Sequence, residues 1–92
     1  MRVKVVIIDA FVEEHIGKVV EGDENDRFFF PCSFAQCYGQ SGMPAFPIIK
    51  DMIKSKESAR RVKINCGGYG DHNHTYSCDN YIVVNITMYD TL

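Results

Sequence analysis

The sequence lacks tryptophan altogether and has only three prolines in 92 residues. It also lacks any run near the roughly 18–20 apolar residues that a membrane-spanning helix needs. The apolar opening Val3 to Ile8 is short and leads into Asp9, Glu13 and Glu14 with no small-residue cleavage site, unlike a secretory signal. Together these absences predict a soluble cytoplasmic protein. In that compartment four cysteines are expected as thiols or metal ligands rather than disulfides. No strong charge of one sign is present either: the formal net charge is −2. That balance removes the general attraction to polyanions shown by strongly basic chains.

Recognisable catalytic signatures are missing as well. Gly67-Gly68-Tyr69-Gly70 lacks the lysine and following helix of a P-loop. A nucleophile pair of Cys32 or Cys37 with His15 or His72 has no residue marked to orient it. The expectation is a protein that is not an enzyme and carries no cofactor.

What is present describes an ordinary small globule, 46% apolar and 24% charged. A chain of this length supports one hydrophobic core, so residues 1–92 are expected to form a single compact domain. The central stretch is Phe46 to Cys66. Ile48, Ile49, Met52 and Ile53 recur at the spacing of a buried helix face, and Pro47 suits a first helical turn. This predicts a helix from about Pro47 to Arg60. Val62, Ile64 and Cys66 then alternate with Lys63 and Asn65, the period-two pattern of a half-buried strand over Arg61 to Cys66.

Elsewhere, Val3 to Ala10 reads as a strand with neighbours on each side. His15 to Glu21 reads as a second strand and Arg27 to Phe30 as a third, pairing back through a charged turn at Glu21 to Asp26. Ser33 to Tyr38 suits a short helical turn capped by Ser33. Gly67 to Asn80 is a long polar loop, a length that in small domains often accompanies function. Tyr81 to Tyr89 is the cleanest strand, with Ile82, Val84, Ile86 and Met88 facing one way. It has the composition to pack across a dimer if it lies at a sheet edge. The order of elements predicts an α+β domain: a mainly antiparallel sheet of about four to five strands with one principal helix packed on a face.

The best-defined constellation for chemistry is Cys32 and Cys37 (C-x4-C) with Cys66, His72, His74 and Cys78. Zinc takes four thiolate or imidazole ligands, usually in close pairs supplied by turns. The ligand set with that logic is Cys32, Cys37, His72 or His74, and Cys78. Against it, no pair has tight C-x2-C spacing, and Cys66 falls where an inward strand residue belongs. Free cysteine is commonly buried as a small hydrophobe. The expectation from sequence is therefore buried thiols and no metal.

Charge is distributed unevenly. Six of the ten basic residues, Lys50, Lys54, Lys56, Arg60, Arg61 and Lys63, fall in the central stretch, while Glu21, Asp23 and Glu24 crowd the first half. Two signs on one small body favour oriented docking. By size and charge character alone the chain is similar to compact phage and mobile-element inhibitors, including anti-CRISPR proteins. That likeness implies a viral inhibitor or adaptor that uses these nine residues against a protein or ribonucleoprotein complex. The other readings are a zinc-stabilised small module on the ligand set above and direct nucleic-acid binding through the basic face, with Tyr69 and Tyr76 as stacking groups.

Overall fold

The structure is a computed structural model that describes residues 1–32, 37–38 and 42–90. Its centre is a long strand, β1 (Arg2–Ala10), whose alternate residues Val3, Val5 and Ile7 are buried. β1 pairs antiparallel with β2 (Val19–Asp23) on one side and with β6 (Tyr81–Tyr89) on the other. β5 (Ala59–Asn65) closes the far edge against β6, giving the order β2-β1-β6-β5. Between β2 and β5 the chain forms a short ribbon, β3 (Phe29–Phe30) with β4 (Met43–Pro44), and the helix α1 (Phe46–Lys54). The fold is thus the expected α+β arrangement, with a four-stranded antiparallel sheet and one helix.

The period-two pattern decides which face of the sheet is covered. Ile82, Val84, Ile86 and Met88 of β6 join Val3, Val5 and Ile7 of β1 in one buried cluster. Ile49 and Met52 of α1, with Phe28, Met43 and Ala45 of the ribbon segment, complete it. A bulge at Ile8 shifts the β1–β6 register, so Asp9 lies opposite Val83 and Ala10 returns to the core side. Among the described residues, no helix is long and apolar enough to cross a membrane.

The helix is shorter than its sequence pattern suggests. It stops at Lys54, and Lys56 adopts φ +58°. The Glu57 N–H donates to the Met52 carbonyl (2.9 Å) and the Lys56 N–H to the Ile53 carbonyl (3.2 Å). These two bonds form a Schellman motif, an ending usually supplied by glycine. With lysine in the left-handed position the stop is invisible to pattern reading, and β5 consequently begins at Ala59 instead of Arg61. Ile53, expected on the buried stripe, is 38% exposed, because the inward face is carried by Ile49 and Met52.

Other boundaries differ for similarly local reasons. Residues Glu13–His15 form a 3-10 turn, and Gly17 at φ +92° brings the chain back so that its N–H reaches the Ile7 carbonyl. β2 therefore starts at Val19 and takes in Glu21 and Asp23. The turn that follows is closed by Asp23 and Asp26, whose carboxylates accept the N–H groups of Asn25 and Asp23. Phe29 and Phe30 pair with Met43 and Pro44 rather than with β2. β6 is an inner strand, flanked by β1 and β5, so its edge is not available for pairing. The helical turn expected at Ser33 to Tyr38 lies mostly outside the described residues.

Two substitutions test this arrangement. Ile49→Ala is expected to cost about 2–5 kcal/mol in denaturant unfolding, against less than about 1 kcal/mol for Ile53→Ala. Lys56→Gly is expected to raise stability by roughly 0.5–1 kcal/mol in the same assay, since glycine adopts the left-handed conformation without strain.

Candidate metal centre

Four cysteines converge at one end of the covered sheet face. Cys32 follows the ribbon strand β3, Cys37 precedes Tyr38, Cys66 directly follows β5, and Cys78 lies three residues before β6. All four side chains are buried, each 4–6% exposed. Their four sulfurs lie within 4.8 Å of one another. The Cys37–Cys66 separation is 3.6 Å and the Cys32–Cys78 separation 4.0 Å. Both are far longer than the roughly 2.05 Å of a disulfide. They bracket the S···S edge of about 3.8 Å that follows from four Zn–S bonds of about 2.3 Å in a tetrahedron. Two disulfides would leave two bonded pairs; mutual proximity of all four sulfurs is the geometry of a shared ion.

The backbone around the sulfurs fits the charge that such an ion brings. After Cys66 the chain folds back so that the Gly68 N–H donates to the Cys66 sulfur at 3.3 Å. After Cys78 the chain repeats the pattern, and the Asn80 N–H donates to the Cys78 sulfur. The buried Asn80 side chain adds a third donor, its Nδ2 lying 3.2 Å from the Cys32 sulfur. N–H donors directed at sulfur stabilise thiolates and orient metal ligands. The two turns are also tied to each other, Cys66 N–H to the Asn80 carbonyl and Cys78 N–H to the Gly68 carbonyl, each at 3.0 Å. A further antiparallel bridge joins Tyr38 and Tyr69 through two bonds of 2.7 Å. The cysteine positions are thereby fixed by main chain on several sides.

Burial pushes the Cys78 thiol above the ordinary thiol range. Without a cation, then, the protonated form is favoured; a divalent ion reverses this by binding the thiolate. Four sulfurs in a tetrahedral set suit zinc or a single iron, and they fill every position of a four-coordinate ion.

The ligand set differs from the one expected. Cys66 belongs to it, and the histidines do not. Cys66 is inward-facing, as the strand pattern indicates, but it lies one residue beyond β5, where inward means toward the other sulfurs. His74 stacks on Tyr69, with ring centroids 4.2 Å apart, and His72 lies against Tyr38 at 6.1 Å. Both imidazoles are exposed. His15 is placed far along the chain in the 3-10 turn, 3.2 Å from the Lys18 ammonium.

The expected partner-binding residues are brought to several surfaces rather than one. Lys50 and Lys54 are exposed on α1, with the Lys50 ammonium 5.6 Å from the centre of the Phe46 ring, and Lys56 sits in the helix-ending turn. Arg60 is engaged by Asp51 at 2.9 Å and by Glu57. Arg61 and Lys63 alternate with Val62 and Ile64 and point to the other side of the sheet, beside Asn85 and the Tyr81 ring. Glu21 and Asp23 line β2, and Glu24 pairs with the terminal ammonium at 3.2 Å.

Cys66→Ser is expected to abolish stoichiometric metal binding, measured by native mass spectrometry. His72→Ala and His74→Ala are expected to leave it at one ion per chain. Retention of metal by the serine variant together with loss in a histidine variant would overturn the four-cysteine assignment. Compared with known proteins, the chain matches no family model, no curated protein and no solved structure.

Proposed function

We propose that this protein is a small binding module, stabilised by one zinc ion on Cys32, Cys37, Cys66 and Cys78, that acts by docking on a protein or ribonucleoprotein partner. The observation that carries this reading is the set of four buried sulfurs that all lie within 4.8 Å of one another. Four protein ligands leave a zinc ion no open position for water or substrate, which is the mark of a structural site. The same ligation removes all four thiols as nucleophiles. The role of the metal is then to order chain that has little apolar content of its own, chiefly the polar loop between β5 and β6.

What that loop presents, with Tyr38 bridged to it, is aromatic. Tyr38, Tyr69 and Tyr76 are 45%, 38% and 58% exposed, and the Tyr76 ring lies directly over Gly70, where a Cβ would collide with it. Exposed tyrosines on a rigid frame are characteristic of interface hot spots. An inhibitor or adaptor role is the form of docking that the small size and divided charge favour. Exposed Lys50 and Lys54 on α1 supply basic groups for an acidic partner surface.

Zinc-supplemented expression followed by native mass spectrometry is expected to give one zinc per chain. Chelation is expected to lower the thermal midpoint sharply and to open residues 66–80 to protease, because binding free energy of a structural zinc is folding free energy, about 10–16 kcal/mol in small domains. Acid is expected to act in the same direction by protonating the thiolates. A metal-free preparation with an unchanged thermal transition would defeat the proposal.

A further inference from the structure

The uncovered face of the sheet has the properties of a surface that pairs with itself, and we infer that the protein forms a two-fold dimer through it. On this face lie Arg2, Lys4, Val6 and Ile8 of β1, and Tyr81, Val83, Asn85, Thr87 and Tyr89 of β6. None of these side chains is buried, whereas every alternate residue of both strands from Val3 to Ile7 and Ile82 to Met88 is. The body is only 18 Å thick along its shortest axis, consistent, among the described residues, with one covering layer on the sheet and none on its back. Half-buried Val6, Ile8 and Val83 make the two inner strands of this face apolar from its centre toward the end of β1.

Its edges carry opposite charge. Glu21 and Asp23 stand on β2, opposite Lys4 and Arg2 in the register. Arg61 and Lys63 stand on β5, opposite Asn85 and Val83. A two-fold axis parallel to the strands and midway between two stacked sheets preserves height along the strand and reverses strand order. Under that operation β2 lies over the partner's β5, and β1 over the partner's β6. The apolar ends then meet each other, Ile8 against the partner's Val83. Glu21 comes within one residue pair of the partner's Arg61, a gap of about 7 Å that an arginine side chain spans. Because the interface is isologous, this ion pair forms twice.

An axis running across the strands instead places β2 over β2 and β5 over β5. No acid on β2 then lies over a base on β5, so the charge pattern selects the first arrangement. The same acids on β2, with Asp9 at the end of β1, disfavour a nucleic-acid strand on this face. Four strands at about 4.8 Å spacing and about 23 Å length project to roughly 450 Å². The side chains that roughen this area bring its accessible surface toward the approximately 800 Å² per partner of a standard interface.

The test is sedimentation of the metal-loaded protein over a concentration series up to about 500 μM, a range that captures micromolar dissociation constants. The expected result is a mass of two chains, each of 10.5 kDa, at the upper end. Val6→Asp, at the centre of the face, is expected to weaken association at least tenfold with circular dichroism and metal content unchanged. Arg61→Glu and Glu21→Arg are each expected to weaken it, and the double variant Glu21→Arg/Arg61→Glu to restore it. A single-chain mass throughout would overturn the inference. So would a dimer indifferent to Val6→Asp, or a single-stranded oligonucleotide that binds this face in an Arg61-dependent manner while the protein stays monomeric.

Discussion

Four buried sulfurs lie within 4.8 Å of one another where the β5–β6 end of the sheet meets the segment before the helix. They arrive from segments far apart in the chain, with 29 residues separating Cys37 from Cys66 and 46 separating Cys32 from Cys78. Closing such long loops is entropically costly, and each doubling of loop length adds only about 0.6 kcal/mol, so one cluster can tie distant segments without a prohibitive penalty. The sheet anchors two of the four, since Cys66 and Cys78 flank the β5–β6 pairing. The other two hold the segment before the helix. A metal bound there, as proposed, would join the sheet to the insertion that covers it.

The sheet itself is divided by the alternation of its strands. One face collects the aliphatic residues and meets the helix; the other keeps its cations, tyrosines and amides near water. Arg60 and Arg61 are neighbours in sequence, yet the first reaches Asp51 and Glu57 on the helix side while the second lies beside Asn85 on the other. A run of basic residues therefore does not become a basic patch. The strand sends consecutive charges to opposite sides, and any binding role must be assigned face by face.

The proposed docking role draws on surface. In that reading the four sulfurs are taken up by the metal. His74 is stacked on Tyr69 and His72 lies against Tyr38, and main-chain bonds fix the loops around them. The surfaces offered are tyrosines on those loops at one end and a mixed-charge sheet face on the back. The two surfaces involve different residues, so self-association through the sheet leaves the tyrosines of the loops free to meet a partner.

The sequence by itself determined the α+β class, the β1 and β6 strands and the inward set Ile82, Val84, Ile86 and Met88, because alternation of apolar residues is a local signal that tertiary structure rarely overrides. It also marked the cysteines as a constellation, without the membership. The helix end was hidden because Lys56 takes a left-handed conformation that pattern reading assigns to glycine. The pairing of β3 with β4, the inner position of β6 and the choice of Cys66 over the histidines belonged to the tertiary structure alone. Each depends on which distant segments meet, and spacing along the chain carries no record of that. Cysteine and histidine ligands look alike in a list of residues; only the fold directs one set of side chains inward to a common point and leaves the other in solvent.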